Sequence, residues 1–127
     1  MILIDTSVWI EFFKQNAIYV DTVKSLMEVQ RVVAIEPVFS ELLFGVRNKK
    51  EREIIHSYWQ ALPKLGFGTG SMIEAAEYAS SNNFLQKGIG LMDAVIIKSV
   101  KDGNHKLWTL DTRIIRGIDQ KLQIHPS

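Results

Sequence analysis

The sequence predicts an α/β fold with a central parallel β-sheet. Three observations lead there. Short apolar runs at residues 2–4, 32–35 and 106–110 read as buried strands. Stretches with apolar residues at helical spacing separate them. Aspartates close the first and last of these runs, at Asp5 and Asp111, where sites form in open parallel sheets.

The elements follow in order. Ile2, Leu3 and Ile4 form the first strand. Thr6 or Ser7 then offers an N-cap hydroxyl to a short helix with Val8, Trp9, Phe12 and Phe13 on one face. Residues 18–30 carry a second helical stripe of Ile18, Val23, Leu26 and Met27. Val32 to Ile35 is the second strand. Pro37 fits the first turn of the next helix, which carries Phe39, Leu42, Leu43 and Val46. Residues 49–61 form a further helix that Pro63 ends, with Ile54, Ile55 and Tyr58 facing inward. Leu65, Gly66 and Phe67 suggest a brief strand, followed by a glycine-marked turn. Residues 71–86 and 92–100 read as helices, separated by Gly88 and Gly90. Lys106 to Leu110 is a strand, and residues 122–125 suggest a last one. No repeat, linker or low-complexity segment interrupts the pattern.

The 127 residues fit one domain, 1–127. A chain of this size can bury roughly two-thirds of its unfolded surface, so its core needs no staple. The absence of cysteine excludes disulfides, thiolate zinc sites, iron–sulfur clusters and a cysteine nucleophile. It suits a reducing compartment. No apolar run approaches the ~18 residues of a membrane span, and the start lacks the features of a signal peptide. A cytoplasmic protein with no membrane association is expected.

Several chemistries are also missing. No phosphate-binding loop ending in Gly-Lys and no nucleophile elbow occurs. Gly66, Gly68 and Gly70 do not complete a dinucleotide fingerprint. His56, His105 and His125 are isolated, not paired at zinc-ligand spacing.

Four acids carry the functional signal. Asp5 and Asp111 end strands, Glu41 sits one turn into a helix among Phe39, Leu42 and Leu43, and Asp93 opens a helix before Ala94 to Ile97. Any one of them alone fits a plainer role: Asp5 or Asp93 as an N-cap, Glu41 as the partner of a Lys or Arg. Carboxylates converging on one sheet edge repel one another, and a divalent cation removes that penalty. Oxygen-only ligands favour Mg²⁺ or Mn²⁺.

With these motifs the chain resembles the PIN domain, in the form of a VapC-type toxin ribonuclease. The motifs are Asp5-Thr6-Ser7, Glu41-Leu42-Leu43-Phe44-Gly45, Asp93-Ala94-Val95-Ile96 and Thr109-Leu110-Asp111. The resemblance spans essentially the whole chain. It implies a single PIN-like domain, its parallel sheet flanked by helices on both faces. It implies Asp5, Glu41, Asp93 and Asp111 as catalytic, metal-binding acids, with Thr6 or Ser7 and Thr109 as supporting hydroxyls. Lys98 departs from the small residues usual in its helix. The resemblance further implies a homodimer that cuts RNA, in several relatives at tRNA loops. A cognate antitoxin would block it by placing a peptide or a basic side chain in the active-site groove.

The cations are consistent with an RNA substrate. Setting the four acids aside leaves 15 basic and 10 acidic residues. Lys49, Lys50, Arg52, Lys98, Arg113 and Arg116 are the candidate RNA-backbone contacts. Trp9 and Phe12 read as core. A catalytically silent PIN-like binding domain and an RNA-processing nuclease that is not a toxin stand as alternatives. A receiver-type phosphoacceptor at Asp5 lacks the pair of acids expected beforehand.

Overall fold

The computed structural model of the chain describes residues 1–126. Its sheet is parallel, and its first strand is central. Strand β1 (Ile2–Ile4) lies between β2 (Val32–Val33) and β3 (Lys106–Trp108). Ile2 pairs with Val32 and Lys106, Leu3 with Val33 and Leu107, and Ile4 with Trp108. All three β1 side chains are buried, so neither face of this central strand meets water. That burial explains the unbroken apolar run in the sequence.

Helices supply the cover: α1 (Thr6–Phe13), α2 (Ala17–Glu28), α3 (Glu36–Phe44), α4 (Lys49–Ala61), α5 (Ser71–Ser81), α6 (Leu91–Asp102) and α7 (Thr112–Gly117). Helix α6 buries Ala94, Val95, Ile96, Ile97 and Val100, while its ends, Leu91, Met92, Lys101 and Asp102, are exposed. Helix α5 packs along it. Trp9 on α1 is 1% exposed and centres an aromatic cluster. Its ring lies 5.4 Å from Phe12, 5.5 Å from Phe39 and 5.9 Å from Tyr58, which joins α1, α3 and α4. Truncating such a residue typically costs ~3–5 kcal/mol. The expectation that Trp9 and Phe12 belong to the core holds.

Local chemistry sets several boundaries. Asn48 caps α4 by accepting from the Glu51 amide at 2.9 Å. Pro37 lies in the first turn of α3, where no intrahelical partner for its nitrogen is lost. Helix α5 stops at Ser81, short of the expected residue 86. Asn83 takes a left-handed φ of 59°, which an asparagine tolerates and a continuing helix does not.

Neither of the two weakest expected strands forms: one isolated bridge falls at Lys64, a residue before the run 65–67, and one at Gln123, within 122–125. Ala34 pairs with Lys64, and Leu107 pairs with Gln123. Gly66 and Gly68 flank Phe67 and disfavour an extended ladder there. Helix α7 was not expected from periodicity. It is six residues long, with only Ile114 buried. The Thr6 or Ser7 cap is also corrected. Asp5 occupies the N-cap position of α1, its side chain makes no capping bond, and the Ser7 hydroxyl is used elsewhere.

Candidate active site

The carboxyl ends of β1 and β3 bring Asp5 and Thr109 together. The Asp5 amide donates to the Trp108 carbonyl at 2.9 Å, which continues the β1–β3 ladder to the site itself. Asp5 is 6% exposed, so its carboxylate needs partners. The Thr109 hydroxyl donates to Asp5 Oδ2 at 2.7 Å, and the Ser7 hydroxyl donates to the same oxygen at 3.2 Å. Each hydroxyl also accepts an amide. Leu110 N–H donates to Ser7 Oγ at 3.0 Å, and Asp111 N–H donates to Thr109 Oγ1 at 3.1 Å. Each hydroxyl has one proton, and both protons point to Asp5 Oδ2. Asp5 Oδ1 accepts from none of the described residues.

All four predicted acids edge one cavity of about 540 Å³. Asp5 comes from the end of β1, Glu41 from α3, Asp93 from the first turn of α6, and Asp111 from the start of α7. Asp93 reports their proximity. Burial, and then the charges of Asp5, Asp111 and Glu41, push its carboxyl up to about 6, although an amide bond from Gly90 pulls it down. Asp111 is different. Arg113 beside it holds its carboxyl below the usual range. Its side chain caps α7 by accepting the Arg113 amide at 2.9 Å.

The hydroxyls divide. Ser7 and Thr109 support Asp5 directly. Thr6 lines the same cavity, and its buried Oγ1 has no hydrogen-bond partner among the described residues. An unpartnered buried hydroxyl facing a polar cavity suits a water or a ligand oxygen there.

The donor set fits a hard divalent cation, because every candidate ligand is oxygen. The spacing is looser than a finished coordination sphere. Among the described residues no three His, Asp or Glu side chains stand close enough to hold a metal ion. Mutual repulsion spreads such carboxylates, and Asp111 is turned onto Arg113.

Of the six candidate RNA-contacting cations, Arg113 alone lines this cavity. Lys98 pairs with Asp102 and borders a separate cavity with Glu74. Lys49, Lys50 and Arg52 lie exposed on α4, with Lys49 3.9 Å from Glu53. Arg116 is exposed on α7, away from the acids. Periodicity did not single out Ile10, Gly90, Leu91 or Met92, which also line the cavity. The paired glycines at 88 and 90 were the available signal, since they mark the loop that delivers Asp93. A neighbouring, more apolar cavity of about 390 Å³ shares Thr6, Ile10 and Glu41 with the acidic one.

Among the described residues no helix is long and apolar enough to cross a membrane. No curated protein sequence matches the chain. Solved structures do. VapBC2 from Rickettsia felis, bound to a promoter DNA fragment, superposes with a TM-score of 0.72 at 19% identity, covering 100% of both chains. A toxin–antitoxin complex from Klebsiella pneumoniae gives 0.70 at 15% identity, covering 98% of this chain and 100% of the other. FitAcB from Neisseria gonorrhoeae gives 0.63 at 21% identity, covering 92% of each. At these identities the likeness establishes the fold. The PIN-domain family profile matches residues 2–119, and that span of four spaced acids on a three-stranded parallel sheet places the chain in the PIN domain family.

Proposed function

We propose that this protein is a divalent-metal-dependent endoribonuclease, the toxin of a type II toxin–antitoxin pair. One observation carries the reading: four carboxylates from separate elements edge one cavity at the carboxyl end of a parallel sheet. The likeness to the toxin–antitoxin complex from Klebsiella pneumoniae supports the toxin role. RNA, with tRNA among the candidates, is the proposed substrate. Asp5, Glu41, Asp93 and Asp111 would hold Mg²⁺ or Mn²⁺. A cognate antitoxin and a second copy of the chain are the proposed partners, in the cytoplasm.

When bound, such cations lower the pKa of a coordinated water and offset charge on the phosphoryl oxygens. The chain's own residues do the rest. Ser7 and Thr109 hold Asp5 through Oδ2 and leave Oδ1 without a donor among the described residues. Asp93 holds its proton more tightly than an ordinary carboxyl because it is buried and shares a small space with three other acids, and a bound cation would offset that repulsion and favour the carboxylate. Arg113 is the cation at hand for a phosphate. No side-chain nucleophile is needed.

The test is cleavage of labelled RNA by the purified chain with Mn²⁺, with Mg²⁺ and with chelator. Cleavage that needs the cation and is lost in Asp5→Asn and Asp93→Asn supports the reading. RNA binding without cleavage under all three conditions would favour a silent PIN-like domain. Growth arrest on expression of the chain alone separates a toxin from an RNA-processing nuclease.

A further inference from the structure

The geometry points to Arg113 as a built-in counter-ion of the acid cavity, which holds Asp111 until a divalent cation takes that carboxylate and then turns to an RNA phosphate. This rests on the metal-dependent ribonuclease reading. Arg113 occupies both oxygens of Asp111. Its amide and its Nε reach Oδ1 at 2.9 and 3.3 Å, and Nη2 reaches Oδ2 at 3.1 Å. Asp111 therefore meets a metal only by exchanging partners. Exchange is open to the guanidinium, since the Arg113 side chain is 63% exposed and water can take over its hydrogen bonds.

The arginine has a fixed base from which to swing. Gly88 has a left-handed φ of 74°, and a Cβ built there would lie 3.3 Å from Arg113 Cδ. The aliphatic stem thus rests on Gly88, in the loop that leads to Asp93. Lys87 Nζ donates to the Gly117 carbonyl at 2.8 Å and ties the same loop to the end of α7. The stem lies against Gly88, and the guanidinium, exposed beyond it, can exchange Asp111 for another anion. A fork of donors released beside the acids meets a phosphate's oxygens two at a time.

Two measurements test this, and neither needs cleavage. The first is Mn²⁺ binding by calorimetry without RNA. Arg113→Ala removes the competing cation and should bind Mn²⁺ about threefold tighter than wild type. The second is binding of a single-stranded oligoribonucleotide in chelator at several salt concentrations. Asp111→Asn keeps a capping side chain but frees Arg113. Its salt slope should steepen by about 0.7, one phosphate contact on a single strand. Adding Arg113→Ala should cancel that change. Unchanged Mn²⁺ affinity in Arg113→Ala, or a steeper slope that survives in the double variant, overturns the exchange and leaves the ribonuclease reading standing. A wild type that binds no Mn²⁺ overturns both.

Discussion

The Thr109 hydroxyl donates to the Asp5 carboxylate at 2.7 Å across 104 positions of sequence. Thr109 is fully buried, and the same oxygen accepts the Asp111 amide at 3.1 Å. One hydroxyl therefore sets two of the four acids. It does so by joining the ends of adjacent strands, not by local spacing.

Thr109→Val keeps the shape and removes that oxygen. It leaves the Asp111 amide without a partner and Asp5 Oδ2 with the Ser7 hydroxyl alone. Loss of such a buried group typically costs ~1–3 kcal/mol. Denaturant unfolding should show a fall in unfolding free energy of that size, and RNA cleavage should fall with it. A stable Val variant with full cleavage would show that Thr109 positions nothing.

Asp93 gives a pH dependence with a definite sign. Its folded value of about 6 lies above the ordinary 3.8. The folded protein therefore binds the extra proton between about pH 4 and 6. Stability without metal should fall as pH rises through that window and level off above it. Mn²⁺ binding should strengthen over the same rise, because the ligand is the carboxylate. Melting in chelator from pH 4 to 8 checks the first, and calorimetry checks the second. Asp93→Asn should flatten both profiles.

The acid cluster should trade stability for cation binding. At pH 7.5 in chelator, Asp93→Asn should be as stable as wild type or more so, by up to ~1 kcal/mol, because one repelling charge is gone. Wild type should gain roughly 2.7 kcal/mol with Mn²⁺ at a hundredfold excess over its dissociation constant. The variant should lose most of that gain. If Asp93→Asn melts well below wild type in chelator, the side chain is a structural partner and not a ligand.

Lys98 lies outside the lining of the acid cavity. Its ammonium pairs with Asp102 beside Glu74, in a different cavity. Lys98→Ala should leave both the RNA affinity and its salt dependence unchanged in binding titrations. A slope reduced by about 0.7 would place a phosphate at Lys98 instead.

The sheet and the four acids were legible because they obey simple rules. A strand buried on both faces must be wholly apolar, and Ile2 to Ile4 is. An acid beside such a run stands out, as Asp5 and Asp93 do. Helix α7 was illegible because six residues with one buried side chain carry no period. What defines it is the Asp111 cap, and an aspartate after a strand reads equally as cap or ligand. The Thr109 and Ser7 bonds were anticipated only as supporting hydroxyls. Their shared target, Asp5 Oδ2, depends on strand pairing that no local window contains. The same holds for the cations. Sequence placed Arg113 and Lys98 alike, and only helix orientation sends one to the acids and the other away from them.

The central place of β1 also has a consequence in time. Its partner β3, and the hydroxyl that holds Asp5, are made some hundred residues after it. Non-local pairing of this kind cannot form on a partial chain. While the ribosome is still adding residues before Thr109, Asp5 has no Thr109 bond, and the fourth acid does not yet exist. The acid cavity therefore stays incomplete on the nascent polypeptide until Thr109 and Asp111 have been added.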